Sequence, residues 1–379
     1  MNSRRDVLKF GAIGAVATAF GLPADASPLS KSLAGPASYA AGATPKPWTI
    51  PQRKTRPVSI DMHTHWAPAG YLRAKADLGQ PDFLDPINAD LDRRIKWMDE
   101  KGVKTQVLTL GGFRPWAWVT PAQGAMISRI SNDAAIAAHQ SHPERFLAGI
   151  ELNCSDPEGA LAELNRVAGA PGMVCAHLPT SLSGRDYLFD HGFAPVLARI
   201  DALGLPIFFH PLDGEPNWFD GHRLADAASG ADPHATGAAA RFPGLTNSLG
   251  NTLEVSVAMS KMIVSGMLDR YPKLTPIVSC AGGAFPYGIG RLDYRSRAAQ
   301  PITEYLRRFY YDSLTFWPPS LRFLAEMVGS DRVVLGTDNM FGPGPQMIEE
   351  PHSIIDQAGF SEEDRNLVLY GNLKRLFRL

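Results

Sequence analysis

From Val58 onward, short apolar runs alternate with segments whose apolar residues recur every three or four positions. Short apolar runs are typical of strands, whereas the longer spacing predicts helices that bury one face. The first pair shows the pattern: VSIDMHTHW predicts a strand, and ADLDRRIKWMDEKGV predicts a helix that ends near Gly102.

The alternation repeats eight times along the chain. The predicted strands are VSIDMHTHW, KTQVLTLG, RFLAGIEL, GMVCAHLPT, LPIFFHP, TPIVSCAGG, FYYDSLTF and RVVLGTDN. Their apolar runs are typical of strands that are buried on both faces of a parallel sheet. Eight strand–helix units in about 320 residues predict an α/β fold, a (β/α)8 TIM barrel of the metal-dependent hydrolase type, rather than an open doubly wound sheet.

Three local features refine this prediction. Thr120 followed by proline predicts a capped helix start in TPAQGAMISRISNDAAIAAHQSHP. The turn GxGxxG, which follows the first strand of dinucleotide-binding sheets, is missing and argues against such a sheet. A long loop, from about Leu212 to Gly250, follows the fifth strand, and we interpret it as a lid or an oligomer contact. Beyond it, NTLEVSVAMSKMIVSGMLDRYP predicts a helix, and two helices are predicted at the C-terminus.

The N-terminus does not follow this alternation. Arg4 and Arg5 precede an apolar stretch, Phe10 to Leu22, which has about half the length that a membrane-spanning helix needs. A small-x-small pattern at residues 24–26 is typical of a cleavage site. SRRDVLK is similar to twin-arginine export signals, although an ordinary secretory signal or a retained anchor would also begin with basic residues.

The expected organisation is therefore a twin-arginine signal peptide over residues 1–26, a flexible arm over residues 27–52 and the barrel over residues 53–379. The arm is rich in Ala, Ser, Pro and Gly, as tethers are. We predict a periplasmic or secreted protein without stable membrane insertion once the signal is removed.

Charge and cysteine content narrow the partners. Lys plus Arg is 37 and Asp plus Glu is 38, for a net charge of −1. This balance favours neither a nucleic-acid partner nor a polybasic membrane anchor. The three cysteines, Cys154, Cys175 and Cys280, form no CxxC pair and are too few for a disulfide framework or a zinc ribbon.

Polar residues stand at the C-terminal ends of several predicted strands, where the active sites of barrels lie. His63 and His65 are two positions apart on the first strand, so both side chains point to one face, which can be the barrel interior. His210 ends the fifth strand and Asp338 the eighth. Three imidazoles and a carboxylate suit a divalent ion, best Zn²⁺, with a position left for water.

A lone histidine in a strand is weak evidence, because it is usually a satisfied core residue or a surface residue. The joint placement on three strand ends favours the metal site. His177, near the end of the fourth strand, could line the pocket. The histidines on helices or loops are interpreted as structural or solvent-facing: His139, His142, His191, His222, His234 and His352.

At these residues the chain resembles the amidohydrolase superfamily, within it the branch of the aminocarboxymuconate-semialdehyde decarboxylase. The resemblance runs from about Val58 to the C-terminus, in IDMHTH, DRRIKWMDEKGV, FFHP, CAGGAFPYGIGRLD and YYDSLTF followed by VVLGTD. It implies a distorted barrel with one divalent metal held by His63, His65, His210 and Asp338. It also implies non-redox decarboxylation of aromatic or muconate-type acids, in a branch where dimers are common and relatives hydrate or hydrolyse ring-cleavage products.

Several positions depart from the family's motifs. Where the family carries a histidine that activates the metal-bound water, at the start of the sixth-strand motif, this chain has Cys280. Where it tends to have a histidine after the seventh strand, this chain has Phe316. The family's arginine after the first strand, which holds a substrate carboxylate, has no clear match; Arg73 and Arg114 are the candidates.

Cys280 has three interpretations. It fills the space of the missing imidazole as a small hydrophobe, or its thiol lies near the cation with a lowered pKa and acts as base or ligand, or the site binds without catalysing. In the first case Asp338 is the best remaining proton acceptor. Asp338 and Cys280 are therefore the candidate catalytic residues.

Aromatic residues gather at or just beyond the strand ends on the predicted site side: Trp66, Trp116, Trp118, Phe316 and Trp317. Packing would explain them, and so would a pocket for a flat conjugated acid. Arg114, in FRPWAW, could pair bidentately with a carboxylate or lie at the surface. The predicted substrate-binding residues are Arg114, Trp66, His177, Phe316 and Asn339.

The first functional hypothesis is a metal-dependent decarboxylase, a carbon–carbon lyase, acting on a small unsaturated or aromatic carboxylic acid. The second is a metal-dependent hydrolase of an ester, lactone or amide. The third is an exported barrel that binds metal or ligand without catalysis. The expected partner is a small carboxylic acid rather than nucleic acid, and a homodimer is possible.

Overall fold

The computed structural model describes residues 58–79, 86–111, 114–212, 246–294, 296, 298–341 and 350–379. The predicted signal peptide, the arm and most of the long loop after the fifth strand lie outside these ranges. No helix within them has both the length and the apolar character needed to cross a bilayer.

The described strands form one parallel sheet in the order β1, β3, β4, β5, β6, β7, β8, β9, with β2 also paired to β3. Their bounds are β1 Ile60–Asp61, β2 His65–Trp66, β3 Thr105–Leu110, β4 Phe146–Glu151, β5 Met173–Pro179, β6 Ile207–His210, β7 Pro276–Val278, β8 Tyr310–Asp312 and β9 Val333–Val334. β1 and β2 are two parts of the predicted first strand, so eight strand positions remain and the barrel prediction is confirmed.

The first and last strand positions meet and close the barrel. The carbonyl of His63 accepts the backbone N–H of Asp338 at 2.8 Å, and the N–H of His65 donates to the carbonyl of Asn339 at 2.9 Å. Closure leaves no sheet edge between the two ends of the strand order.

Helices alternate with the strands as predicted. They are α1 Ala69–Asp77, α2 Leu91–Lys101, α3 Pro121–Ser141, α4 Pro157–Val167, α5 Ala194–Leu203, α6 Asn251–Val264, α7 Met267–Arg270, α8 Phe285–Asp293, α9 Pro318–Val328, α10 Ser353–Gln357, α11 Glu362–Asn366 and α12 Asn372–Phe377. Thr120 caps α3: its hydroxyl accepts the N–H of Gln123, whose side chain accepts the N–H of Thr120. Gly102, with φ 77°, ends α2 where expected.

The barrel interior is apolar towards the N-terminal ends of the strands and polar towards their C-terminal ends. One buried residue from nearly every strand contributes to the lower layer, among them Val107, Leu147, Cys175, Phe208, Tyr310 and Val334. Side chains alternate along a strand, so the residues two positions later also point inward, nearer the C-terminal ends. Those residues are Thr109, Gly149, His177, His210, Asp312 and Gly336. The alternation thus places a polar layer at the mouth of the barrel.

The strand predictions were wrong in length at four places. The first strand is interrupted between Asp61 and His65, where Thr64 forms an isolated bridge to Asn339. The sixth, seventh and eighth predicted strands are only Pro276–Val278, Tyr310–Asp312 and Val333–Val334. After the sixth, the chain turns at once, with positive φ at two non-glycine residues, so the ladder cannot continue.

The helix predicted over NTLEVSVAMSKMIVSGMLDRYP was wrong in being continuous. α6 ends at Val264, and Gly266, with φ 70°, separates it from α7. A left-handed glycine is compatible with a helix end but not with a helix interior. Upstream, Thr246–Gly250 is one turn of π-helix that leads into α6 rather than loop. The two predicted C-terminal helices correspond to α10 and to α11 and α12, which a π-turn at Leu367–Gly371 joins.

Candidate metal centre and active site

Three buried imidazoles meet at the mouth of the barrel. His63 and His65, from the first strand position, and His210, at the end of β6, each offer one ligand nitrogen, and these atoms lie within 4.8 Å of one another. The ring centroids are 4.9 to 5.2 Å apart. Among the histidine, cysteine and acidic side chains of the described ranges, these three histidines form the group that could hold a metal.

Hydrogen bonds orient two of these rings. His63 Nδ1 lies 2.7 Å from Asp312 Oδ2, and His210 Nδ1 lies 2.7 Å from the carbonyl oxygen of Pro211. Because both partners can only accept, each Nδ1 donates its proton, and in the neutral ring each Nε2 keeps a lone pair. His63 Nε2 is buried and has no hydrogen-bond partner among the described residues. Such an arrangement is typical of metal-binding histidines.

Asp338 lies against the same rings. Its Oδ1 is 2.6 Å from His65 Nε2 and 3.4 Å from His63 Nε2. Burial alone would raise the pKa of Asp338, but the neighbouring histidines lower it well below its ordinary value. The carboxylate is therefore ionised, and with the three imidazoles it forms a donor set that fits a divalent cation. Its role as fourth ligand stays a prediction.

Asp312 accepts the Nδ1 proton of His63 and was not among the residues predicted from the sequence. It is fully buried and accepts the backbone N–H of Cys280 at 3.1 Å, of Ala281 at 2.7 Å and of Leu314 at 3.2 Å, besides the proton of His63. Its position at the end of the seventh predicted strand, in YYDSLTF, was the available signal. A carboxylate that binds a ligand histidine fixes both its orientation and its tautomer.

Cys280 stands at a sharp turn after β7. Its φ is 52° and that of Ala281 is 54°, which are left-handed values uncommon outside glycine. It is half-buried, and its contribution to Asp312 comes from the backbone N–H. The thiol does not belong to the group of potential ligand atoms that the histidines form. A catalytic role for Cys280 stays a prediction.

A second polar group faces the histidines from β3, β4 and β5. Glu151 Oε1 accepts the N–H of Leu110 at 2.7 Å and lies 2.6 Å from His177 Nδ1. Arg114 donates from Nη2 to the carbonyl of His210 at 3.0 Å, and its Nη1 lies 4.0 Å from Glu151 Oε2. Burial raises the pKa of Glu151 to about 7, although the charge of Arg114 opposes this. Burial, with Arg114, lowers the pKa of His177, which is therefore neutral.

Arg94 in α2, which the sequence analysis did not single out, holds the other side of the site. It donates to the carbonyl of His65 at 2.8 Å, to Asn339 Oδ1 at 2.8 Å and to Gln106 Oε1 at 3.1 Å. Burial lowers the pKa of Arg94 to about 10 and raises that of Asp61, which Gln106 also contacts, to about 6. This network joins the loop after β9 to the first strand position.

The remaining predicted substrate contacts occupy different settings. Trp66 is buried at the end of β2, and its Nε1 has no hydrogen-bond partner among the described residues. Asn339 is also buried, with its amide oxygen bonded to Arg94. Phe316 is half exposed, at φ 53°. The structure thus places Trp66, His177, Arg114 and Asn339 beside the histidines or their supports, and their contact with substrate stays a prediction.

The other aromatic residues and histidines considered in the sequence also differ in their burial and contacts. Trp116 is buried, whereas Trp118 and Trp317 are exposed. His139 Nδ1 bonds the carbonyl of Phe146 in a structural contact. His222 and His234 lie outside the described residues.

This chain is similar in sequence to proteins of known activity. The profile of a family described as Amidohydrolase matches residues 60–379. The chain is 27% identical to the gamma-resorcylate decarboxylase of Polaromonas sp. strain JS666 over 343 residues, covering 84% of this chain and 98% of that protein. It is 26% identical to the 2-amino-3-carboxymuconate-6-semialdehyde decarboxylase of Dictyostelium discoideum over 356 residues, covering 84% and 90%.

A solved structure agrees with these sequences. The crystal structure of a dihydroxybenzoic acid decarboxylase from Polaromonas sp. JS666, with bound manganese and the inhibitor 2-nitroresorcinol, superposes with a TM-score of 0.68 at 25% identity. The match covers 85% of this chain and 97% of that one. The chain is therefore similar in sequence to decarboxylases and similar in fold to one that contains manganese.

The support that Asp312 gives to His63 can be tested by metal titration. Asp312→Asn cannot accept the imidazole proton with a full negative charge, so we expect Mn²⁺ affinity, measured by calorimetry, to fall about 10- to 100-fold. Asp331→Asn, which alters a partly exposed carboxylate paired with Arg307, is the matched control and should bind as the native chain does. Equal affinity in all three proteins would contradict this role of Asp312.

Proposed function

We propose that this chain, which belongs to the amidohydrolase family, is a metal-dependent decarboxylase of a small aromatic or unsaturated carboxylic acid. The observation that carries the proposal is the group of three buried imidazoles, with one nitrogen each within 4.8 Å, beside an ionised carboxylate. The chain covers 90% or more of curated relatives that are decarboxylases.

His63, His65 and His210, with Asp338 beside them, would hold the cation. A divalent cation at this position supplies Lewis acidity to a substrate oxygen while the bond to the carboxyl carbon breaks. Its identity is part of the proposal: the sequence analysis favoured Zn²⁺, the similar Polaromonas structure contains manganese, and a site built of imidazole and carboxylate accepts either.

The chain's own residues manage the proton. In decarboxylation, the bond to the carboxyl group breaks, CO₂ leaves with the carboxyl oxygens, and a proton replaces it on the substrate carbon. Asp338 is ionised and partly exposed, so one of its carboxylate oxygens can take the acid proton of the substrate, or a proton from solvent, and return it to that carbon. Asp312 keeps His63 oriented, and Arg114 keeps the backbone of His210 in place.

The same donor set would also serve hydrolysis of an ester, lactone or amide, or ligand binding without catalysis. The products separate these possibilities, because only a decarboxylase releases CO₂. The relatives' names favour decarboxylation.

Export through a twin-arginine signal and dimerisation belong to the proposal as well. Arg4 and Arg5 in SRRDVLK support export, although they lie outside the described residues. We expect the native chain in the periplasmic or secreted fraction and a chain with Arg4→Lys and Arg5→Lys in the cytoplasm. Cell fractionation checks this, and equal distributions would contradict it. Sedimentation of the purified protein decides whether it is a homodimer.

Decarboxylation itself is tested with metal-loaded protein and a panel of hydroxybenzoic and muconate-type acids. We expect CO₂ release that chelation abolishes and Mn²⁺ or Zn²⁺ restores, because the proposed reaction needs the cation that the imidazoles hold. Asp338→Asn should lower kcat by at least about 100-fold, the range for a lost proton carrier, while the melting temperature remains near the native value. Acid release from esters without CO₂ would replace this proposal by the hydrolase, and inactivity over the whole panel would favour the binding barrel.

The role of Cys280 is tested by substitution. Since its backbone N–H bonds Asp312 and its thiol does not belong to the ligand group, we expect Cys280→Ser to retain kcat/KM within a few-fold. The matched control is Cys175→Ser, deep in the barrel interior, which should lower the melting temperature instead. A loss of several orders of magnitude in Cys280→Ser with full metal content would instead make the thiol a catalytic group.

A further inference from the structure

The barrel mouth has two polar halves, and the proposed function uses only one. The metal-binding histidines occupy one half. Arg114, Glu151 and His177, which we call the opposite cluster, occupy the half formed by the ends of β3, β4 and β5. The two halves touch where Arg114 donates to the carbonyl of His210.

The opposite cluster carries polar atoms without partners. Arg114 Nε and Nη1, Glu151 Oε2 and His177 Nε2 are buried and have no hydrogen-bond partner among the described residues. The three residues are at most 3% exposed. Leaving a buried donor or acceptor unpaired costs about 1–3 kcal/mol, so several together at one place point to a ligand group that pairs with them.

The types of atom define that ligand group. Arg114 offers donors. Above its pKa of about 7, Glu151 offers Oε2 as an acceptor, and His177 offers Nε2 as an acceptor because its Nδ1 already donates to Glu151. A partner for both sides must accept one hydrogen bond and donate another. A hydroxyl group does this, whereas a methyl group does neither.

Charge excludes the alternative that Arg114 alone would suggest. A second substrate carboxylate would suit an isolated guanidinium, but Glu151 Oε2 lies only 4.0 Å from Arg114 Nη1. An added carboxylate would therefore approach the buried Glu151, which is ionised above its pKa of about 7, and like charges repel strongly where water is excluded. The cluster favours a neutral group.

The backbone at Gly149 packs closely against the cluster. Gly149 lies two positions before Glu151, and a Cβ there would lie 3.0 Å from Thr109 Cγ2 and 3.2 Å from His177 Cβ. A side chain at this position would press on His177, so the glycine lets His177 keep its place in the cluster.

We infer that Arg114, Glu151 and His177 form a subsite for a neutral hydroxyl group of the substrate, and that Glu151 disfavours a second carboxylate there. This rests on the proposed function in that the cation would bind the reacting end of the same molecule. An ordered water could satisfy the same atoms without any selectivity, and the experiment distinguishes the two.

Binding of unreactive compounds tests the subsite without any need for turnover. The probes are 2-nitrophenols that carry a hydroxyl, a methyl or a carboxylate at one of the four free ring carbons; one of them is 2-nitroresorcinol. Binding to the full-length, Mn²⁺-loaded protein is measured by calorimetry. At one ring position we expect the hydroxyl compound to bind about 10- to 100-fold more tightly than the methyl compound, as for a hydrogen bond to a charged group, and more tightly than the carboxylate.

Glu151→Gln is the decisive variant. The amide oxygen can still accept from Leu110 and His177, but an NH₂ group replaces Oε2 and the negative charge is gone. We expect the hydroxyl preference over methyl to fall below about threefold, and the carboxylate compound to gain about tenfold or more because Arg114 is no longer neutralised. Glu163→Gln in α4 is the matched control. Glu163 is also buried, and its side chain accepts from Asn132, which also donates to the backbone carbonyl of Glu151. This variant should keep the native preferences.

Each outcome decides between the possibilities. Equal binding of hydroxyl and methyl compounds at every position would assign the unpaired atoms to ordered water and overturn the subsite. Unchanged preferences in Glu151→Gln would also overturn it. Should that variant not fold, Arg114→Lys, which keeps the charge but loses the planar fork, must lower the hydroxyl preference instead.

Failure of the subsite and failure of the proposed function have different signatures. Hydroxyl-selective binding without CO₂ release from any acid would reject the decarboxylase and keep the subsite. CO₂ release without hydroxyl selectivity would do the reverse. Binding of none of the probes would reject the subsite outright.

Discussion

The contact between His63 and the loop after β9 is the constraint on which the site depends. The carbonyl of His63 accepts the N–H groups of Thr337 and Asp338, which registers the first strand position against the last. The same residue offers its Nε2 to the cluster of imidazoles and binds Asp312 through Nδ1. Backbone closure and ligand placement are therefore one event, because a shift in register would separate Asp338 from the rings.

Two buried arginines extend this backbone control to the other ligands. Arg94 donates to the carbonyl of His65 and Arg114 to the carbonyl of His210. A buried guanidinium is costly unless it is paired and hydrogen-bonded, and each arginine has a buried carboxyl group near it, Asp61 or Glu151. His65 and His210 thus each have a buried arginine on the backbone carbonyl and a buried carboxyl group near that arginine.

Much of this could be predicted from the sequence, for a definite reason. The period-two pattern of strands and the placement of barrel sites at strand ends were enough to select His63, His65, His210 and Asp338. Asp312 ends the seventh predicted strand and so carried the same signal, but its role could not be predicted, because its partner His63 is 249 residues away and only folding makes it buried.

Arg94 and the interrupted strand illustrate the same limit. Arg94 lies on a helix whose pattern predicts exposed charge, yet it is fully buried against Asn339, 245 residues later. The interruption between β1 and β2 depends on bonds to residues at the other end of the chain. Local pattern contains no information about such contacts, so it predicts elements better than their ends.

Strained backbone conformations occur in the loops after the last three strands. Cys280, Ala281, Phe316 and Asp338 have positive φ although none is glycine, and they follow β7, β8 and β9 in turn. Such conformations cost about 1–2 kcal/mol each and persist where the surrounding structure imposes them, often at functional sites.

At Cys280 that strain has a specific use. The turn directs the N–H groups of Cys280 and Ala281 to Asp312, and this contact comes from the backbone, whatever the side chain. The support of His63 therefore depends on the backbone at Cys280 and not on its thiol. A different side chain at this turn could change the proton chemistry without removing the contact that orients His63, which is why the identity of residue 280 and the placement of the imidazoles can vary separately.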